Sequence, residues 1–197
     1  MRPTDGDGPW RGIASGILVG VAVAGVVRRR LELRRTRRGT LAPLGPATQT
    51  LPAPTESGLA RRLSTWQPDV PRTDVGRVIT AAWAAPLTVV GALLTASGGG
   101  RLTWDPQRAC WVGTGIGGPS GALLAAVGMA ANTMGHVVVC RRDAPGEQLL
   151  DHEAVHVRQA ERLGPLLVPL YVLLSARHGY RENPLERAAR RGAAAAR

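Results

Sequence analysis

Two histidines four residues apart, with a glutamate beside the first, stand at His152, Glu153 and His156. On a helix, residues i and i+4 share one face about a turn apart, so both rings can present a nitrogen to a single ion. Glu153 lies about 100° round the axis from His152. Its carboxylate can reach a metal-bound water without ligating the metal. Zinc lowers the pKa of such a water toward neutrality, and the glutamate then takes its proton as the water attacks a polarised carbonyl. This chemistry requires a helix. The sequence predicts one over 147–163, stopped by Gly164-Pro165.

A catalytic zinc site keeps three protein ligands and a water, so one ligand must come from elsewhere. Downstream stand Glu161, His178, Glu182 and Glu186. Glu161, five residues beyond His156 on the same helix, turns away from the ion. His178 and Glu182 fall in the loop before a last helix that opens with Asn183 as N-cap and Pro184 at its first position. Glu186 then lies in the first turn, where a capping-box carboxylate would also sit. Spacing alone leaves Glu186 and His178 both open. Gln159, three residues past His156, can orient a ligand or be plain polar surface. Tyr171 and Tyr180 can stabilise an oxyanion or simply pack with a bonded hydroxyl. His136 reads as structural.

The elements that must position these groups occupy the second half of the chain. Arg101 to Trp104 and Ala109 to Val112 flank a turn at Asp105-Pro106-Gln107-Arg108 and predict a hairpin. Residues 113–120 read as a Gly-rich loop and 122–131 as a short helix. Residues 134–140 read as a strand, because three consecutive valines favour the pleat. After the HExxH helix, 165–176 is apolar but too short to span a membrane. Cys110 and Cys140 form no CxxC and predict two small buried thiols, with a disulfide left open.

The chain has 197 residues and a net charge of +11, all of its basic residues being arginine. No zinc-finger spacing or recognition-helix pattern accompanies the charge, so it licenses only non-specific attraction to nucleic acid. Residues 12–27 are uncharged and are followed by Arg28, Arg29, Arg30, Arg34, Arg35, Arg37 and Arg38. A signal peptide places its positive charge before the apolar run, although Ala22-Val23-Ala24 resembles a cleavage site. The charge order favours a membrane anchor over 1–38 with a cytoplasmic C-terminal flank. Residues 39–76 are Pro-rich linker. Residues 78–97 are uncharged for the length of a membrane span, with Pro86 inside, and favour membrane contact; the competing reading is a buried helix in a soluble domain, since the segment is rich in Ala and Thr. The expected localisation is therefore at a membrane, with the lipid bilayer as partner. If both runs cross it, the HExxH domain lies outside the cytoplasm; if one crosses, the side reverses.

The stretches DHEAVHVRQAERLGPLLVPLYVLL and HGYRENPLERAAR resemble a group of small bacterial HExxH proteins. These carry HExxHxxQ, a Leu-Gly step, an apolar Pro-containing helix and a terminal Asn-Pro-aromatic-Glu-Arg-Glu-Ala. The preceding MGHVVVCR resembles their strand, and the likeness covers about residues 77–190. It is also similar in logic to gluzincin metallopeptidases, in which a later ExxA glutamate completes the site. The resemblance implies Glu186 as third zinc ligand with His152 and His156, Glu153 as base, and Gln159 in the HxxQ position. It implies an α+β fold: a minimal zincin-like domain over 77–197, with a short β-sheet, a C-terminal helical bundle and N-terminal hydrophobic helices. The chain departs from the pattern at Leu185, where an aromatic residue is usual, at Ala188, which replaces a second glutamate, and at Arg190, where gluzincins often have aspartate. These changes spare the ligands and thin the shell that orients them.

Three functions follow as expectations. The first is a membrane-associated zinc-dependent peptidase acting on a peptide or protein. The second is a non-catalytic protein whose zinc staples helices together. The third is a membrane-associated scaffold without metal.

Overall fold

Val137, Val138 and Val139 build the centre of the sheet. In an extended chain, successive side chains point to opposite faces, and here both faces are covered, so the valines are buried on either side. The computed structural model describes residues 57–126 and 130–196. The apolar run at 12–27, its arginine flank and the first part of the Pro-rich linker lie outside the described residues.

The chain enters through α1 (Gly58–Ser64) and α2 (Asp74–Ser97). Strands β1 (Arg101–Asp105) and β2 (Cys110–Thr114) form the expected hairpin. A short α3 (Gly118–Ala126) leads to β3 (Ala131–Met134) and β4 (Val137–Cys140). The HExxH helix is α4 (Glu147–Leu163). A 3-10 turn (Gly164–Leu166) then precedes α5 (Leu167–His178) and α6 (Pro184–Ala195). The fold is mixed α+β.

The sheet order is β1-β2-β4-β3, with β2 and β4 parallel and both outer pairs antiparallel. Val137 and Val139 join Leu94 of α2 on one face, with Ile116, Leu124 and Met134. Val138 and Cys140 join Leu150 and Val157 of α4 on the other, with Cys110 and Val112. The sheet is thus a layer between α2 and α4. Both cysteines are free and fully buried, and burial pushes their thiols up, to about 11 for Cys110 and about 12 for Cys140. A third cluster joins Leu87, Ala160, Leu167, Leu174 and Leu185 across the helices.

Close approach of α2 to the sheet depends on Gly91. A Cβ there would stand 2.8 Å from the Val137 Cβ and 2.9 Å from that of Met134. The strand expected over 134–140 is instead a hairpin. It turns at Gly135, whose φ of +61° favours glycine, and residues 131–134 pair back along β4. The helix expected over 122–131 accordingly starts earlier, at Gly118-Pro119, and ends before β3. The stretch read as linker also contributes structure. Thr73 caps α2 by accepting from the Gly76 N–H. In α1, Ala60 and Ser64 are buried, and Arg191 of α6 donates to the Ser64 carbonyl at 2.8 Å.

Candidate metal centre

Helix α4 runs between the sheet and α6. Its opening turn is fixed by Arg108, from the β1–β2 turn. Arg108 donates to Asp105 at 2.8 Å, to Glu147 at 2.7 Å, and to Asp151 through Nε at 2.9 Å and Nη2 at 2.7 Å. The residue before His152 is thereby tied to the sheet. Further along, Glu161 meets Arg158 at 2.7 Å and His136 at 2.8 Å. Arg158 also donates to the Ala109 carbonyl at 2.9 Å. His136 is therefore part of a buried tie between α4 and the sheet, and Glu161 belongs to that tie and not to the histidine pair.

His152 and His156 lie on one face of α4 with ring centroids 5.0 Å apart. Opposite them stands Glu186 of α6. Its Oε2 lies 3.5 Å from His152 Nε2 and its Oε1 lies 3.3 Å from His156 Nε2. Their side chains are 17%, 9% and 5% exposed for His152, His156 and Glu186 in turn, so little water reaches them. Among the described residues these three form a group able to hold a metal ion, with one ligand atom from each lying within 4.8 Å of the others.

The first turn of α6 explains how Glu186 arrives there. Asn183 caps the helix by accepting from the Leu185 N–H, and its amide donates to Ser175 Oγ at 2.8 Å and to the Tyr171 carbonyl at 3.3 Å. The start of α6 is thus pinned to α5. A capping box would need the Glu186 carboxylate on the Asn183 N–H. That N–H donates to the Tyr180 carbonyl instead, and Glu186 accepts from the Tyr171 hydroxyl at 2.7 Å. Its carboxylate is committed to the histidine face.

Gln159 settles the chemical state of His156. The Gln159 side chain is fully buried, and its amide nitrogen faces the Trp66 and Leu185 carbonyls at 3.4 and 3.5 Å. Its oxygen therefore points at His156 Nδ1, 2.8 Å away, and can only accept. Nδ1 must carry the proton, which leaves the Nε2 lone pair directed at Glu186. The His156–Glu186 contact is poorly aligned for hydrogen bonding. His156 Nε2 and Glu186 Oε2 are both buried without a hydrogen-bond partner. Acceptor atoms gathered this closely in a dry site need a cation among them, either a proton or a metal. Without metal, the proton fills this role. Burial alone would lower the His156 pKa, but the Glu186 and Glu153 carboxylates reverse this and pull it up to about 9. Burial would raise that of Glu186, yet the two histidines hold it well below the usual carboxylate range.

Glu153 is buried beside this face, and the Thr133 hydroxyl lies 2.7 Å from its Oε2 and 3.1 Å from its backbone carbonyl. Thr133 pairs with Val138 across the hairpin, which puts its side chain on the sheet face that α4 covers. This partner was not visible in the sequence, because β3 carries no strand signal of its own. His178 ends α5 and Tyr180 follows in the α5–α6 loop, both half-buried and neither a member of the His152–His156–Glu186 group. Glu182 is exposed in that loop. Of the arginines near the site, Arg190 comes within 3.8 Å of Glu186 Oε2.

Comparison with protein-family models, curated proteins and solved structures finds no match for this chain.

Proposed function

We propose that the chain is a membrane-associated, zinc-dependent metallopeptidase of gluzincin-like design. His152, His156 and Glu186 would hold the ion and Glu153 would act as general base. One observation carries the reading: the Glu186 carboxylate turns Oε1 to His156 Nε2 and Oε2 to His152 Nε2, with His156 Nε2 and Glu186 Oε2 both buried and without hydrogen bonds. The donor set fits the metal, since two imidazoles and a carboxylate suit zinc and leave a position open. Gln159 and Tyr171 hold His156 and Glu186 in orientation, as ligand-orienting groups do.

A bound zinc would supply a positive charge that acidifies a coordinated water and polarises a peptide carbonyl. The chain's own residues do the rest. Glu153, held through Oε2 by Thr133, offers its other oxygen to receive a proton and return it to the leaving amine. Membrane association is supported by α2, a 24-residue helix that leaves Val75, Val78, Ile79, Trp83, Val89 and Leu93 exposed, and by a net charge of +11 that favours anionic lipid.

The near-closure of the ligand group favours a second reading, a zinc that staples α4 to α6 without catalysis. Glu153→Gln separates the two. It keeps the shape and all three ligands. For a peptidase, zinc stays bound and cleavage of an unstructured protein such as casein falls by about 100- to 10,000-fold, the usual worth of a positioned base. Zinc-loaded wild-type protein that cleaves no peptide or protein, with a Glu153→Gln variant identical to it, leaves the staple.

A further inference from the structure

Helix α2 wears its larger apolar residues on the outside. The face turned to the sheet and α4 is built from Thr80, Ala84, Leu87, Gly91, Leu94 and Thr95. The opposite face exposes Val75, Ile79, Ala82, Pro86, Val89, Leu93 and Ala96. These steps of four and three residues make one unbroken apolar stripe along about 32 Å of helix. Val78 and Trp83 widen it, and Trp83 packs against Gly164 of the 3-10 turn, where Leu166 is also exposed. Continuous exposed apolar surface of this extent marks a contact surface.

Its ends are basic. Arg72 and Arg77 stand exposed at the start of the stripe and Arg101 just past its end, with Asp74 the single acid within α2. A second copy of α2 would bring arginine against arginine when packed parallel or antiparallel. The apolar run at 12–27 is followed by a further arginine cluster of the same sign. Anionic headgroups complement both ends, and tryptophan favours the headgroup level.

The same helix cannot carry this face across a bilayer. Its inner face is covered by the sheet and α4 from Thr80 to Thr95, about 22 Å of its length. Crossing would draw those layers into hydrocarbon, with the Arg108–Asp105–Asp151 and Arg158–Glu161 groups. Pro86 also deprives the Ala82 carbonyl of its helical donor on the exposed face. Water can satisfy that carbonyl at the headgroup level but not at mid-bilayer.

We infer that α2 lies in the plane of an anionic membrane with its outer stripe inserted, seating the metal domain on the surface instead of anchoring it by a span. This rests on the membrane association proposed above and is independent of zinc. The test uses the full-length protein on vesicles of phosphatidylglycerol and phosphatidylcholine. Nitroxide labels are placed by Val75→Cys, Ala82→Cys, Val89→Cys and Ala96→Cys, with Thr103→Cys as the control on β1. The buried native thiols are spared by labelling under native conditions. Power saturation should give four shallow and nearly equal depths, with the control in water. Deep labels at Ala82 and Val89 between shallow ends would mean a crossing helix and overturn the inference. Bound protein with all four labels in water would do the same, as would spin–spin broadening that reports a second copy. Failure to float with the vesicles would overturn the membrane association itself.

Discussion

Replacing Gln159 by leucine removes the acceptor that fixes the His156 ring while keeping a side chain of similar bulk. In the wild type, Gln159 Oε1 accepts from Nδ1 at 2.8 Å, whereas its two amide contacts, at 3.4 and 3.5 Å, are at the limit of hydrogen bonding and add little. Without it, nothing holds the Nδ1–H, and the ring is free to turn Nε2 away from the position that faces Glu186. The Nδ1–H left unpaired in the metal-bound form costs about 1–3 kcal/mol in a buried site. Loss of a ligand-orienting group commonly weakens metal affinity about 10- to 100-fold, or roughly 1.4–2.8 kcal/mol. The two figures agree because they describe the same hydrogen bond. Competition against a chromophoric chelator should therefore show Gln159→Leu binding zinc about 10- to 100-fold more weakly, with unchanged far-ultraviolet circular dichroism. A folded variant whose zinc Kd stays within about twofold of wild type would refute the orienting role of Gln159.

Two further outcomes can be checked on the same material. In the metal-free protein the His156 pKa is raised to about 9 from 6.5, so its stabilising contribution is complete below 6.5 and is lost as pH rises through 9. Thermal melts of metal-free protein should show Tm falling across that window, while the increase in Tm on adding zinc grows, because the metal replaces the departing proton; a flat difference between the two curves would contradict this. Arg108→Ala leaves Asp105 and Asp151 facing each other's charge with only 14% and 19% exposure. Chemical denaturation should register a loss of about 2 kcal/mol, below the full cost of breaking a buried pair because these groups keep some water, and a loss under about 0.5 kcal/mol would reduce the clasp to a surface ion pair.

The sequence made α4 legible because Gly164-Pro165 stops the helix and His152 and His156 share a face at helical spacing. Asn183-Pro184 likewise announced the start of α6, and the cap bond to Leu185 follows that pattern. Long-range partners were hidden for physical reasons. Thr133 reaches Glu153 only because residues 131–134 fold back on the valine strand through Gly135, and Ala-Asn-Thr-Met has little strand propensity without that partner. Tyr171 reaches Glu186 only because Asn183 pins α6 to α5. Arg108 and Asp151 are brought together by the β1–β2 turn. Helix α2 was readable as apolar, but both of its faces are apolar. Only the packing of Gly91, Ala84 and Thr95 against the sheet distinguishes the inner face from the outer one.

The central claim is that His152, His156 and Glu186 together hold one ion, and the zinc content of wild type beside Glu186→Ala tests it most directly. Both proteins are purified free of metal, reconstituted with zinc, desalted and measured by elemental analysis. The account predicts one zinc per wild-type chain and a large loss of zinc in the variant. That loss should come with a lower Tm, because metal binding energy is folding energy in so small a domain. Wild-type protein without stoichiometric zinc, or a Glu186→Ala variant with full occupancy, would contradict it.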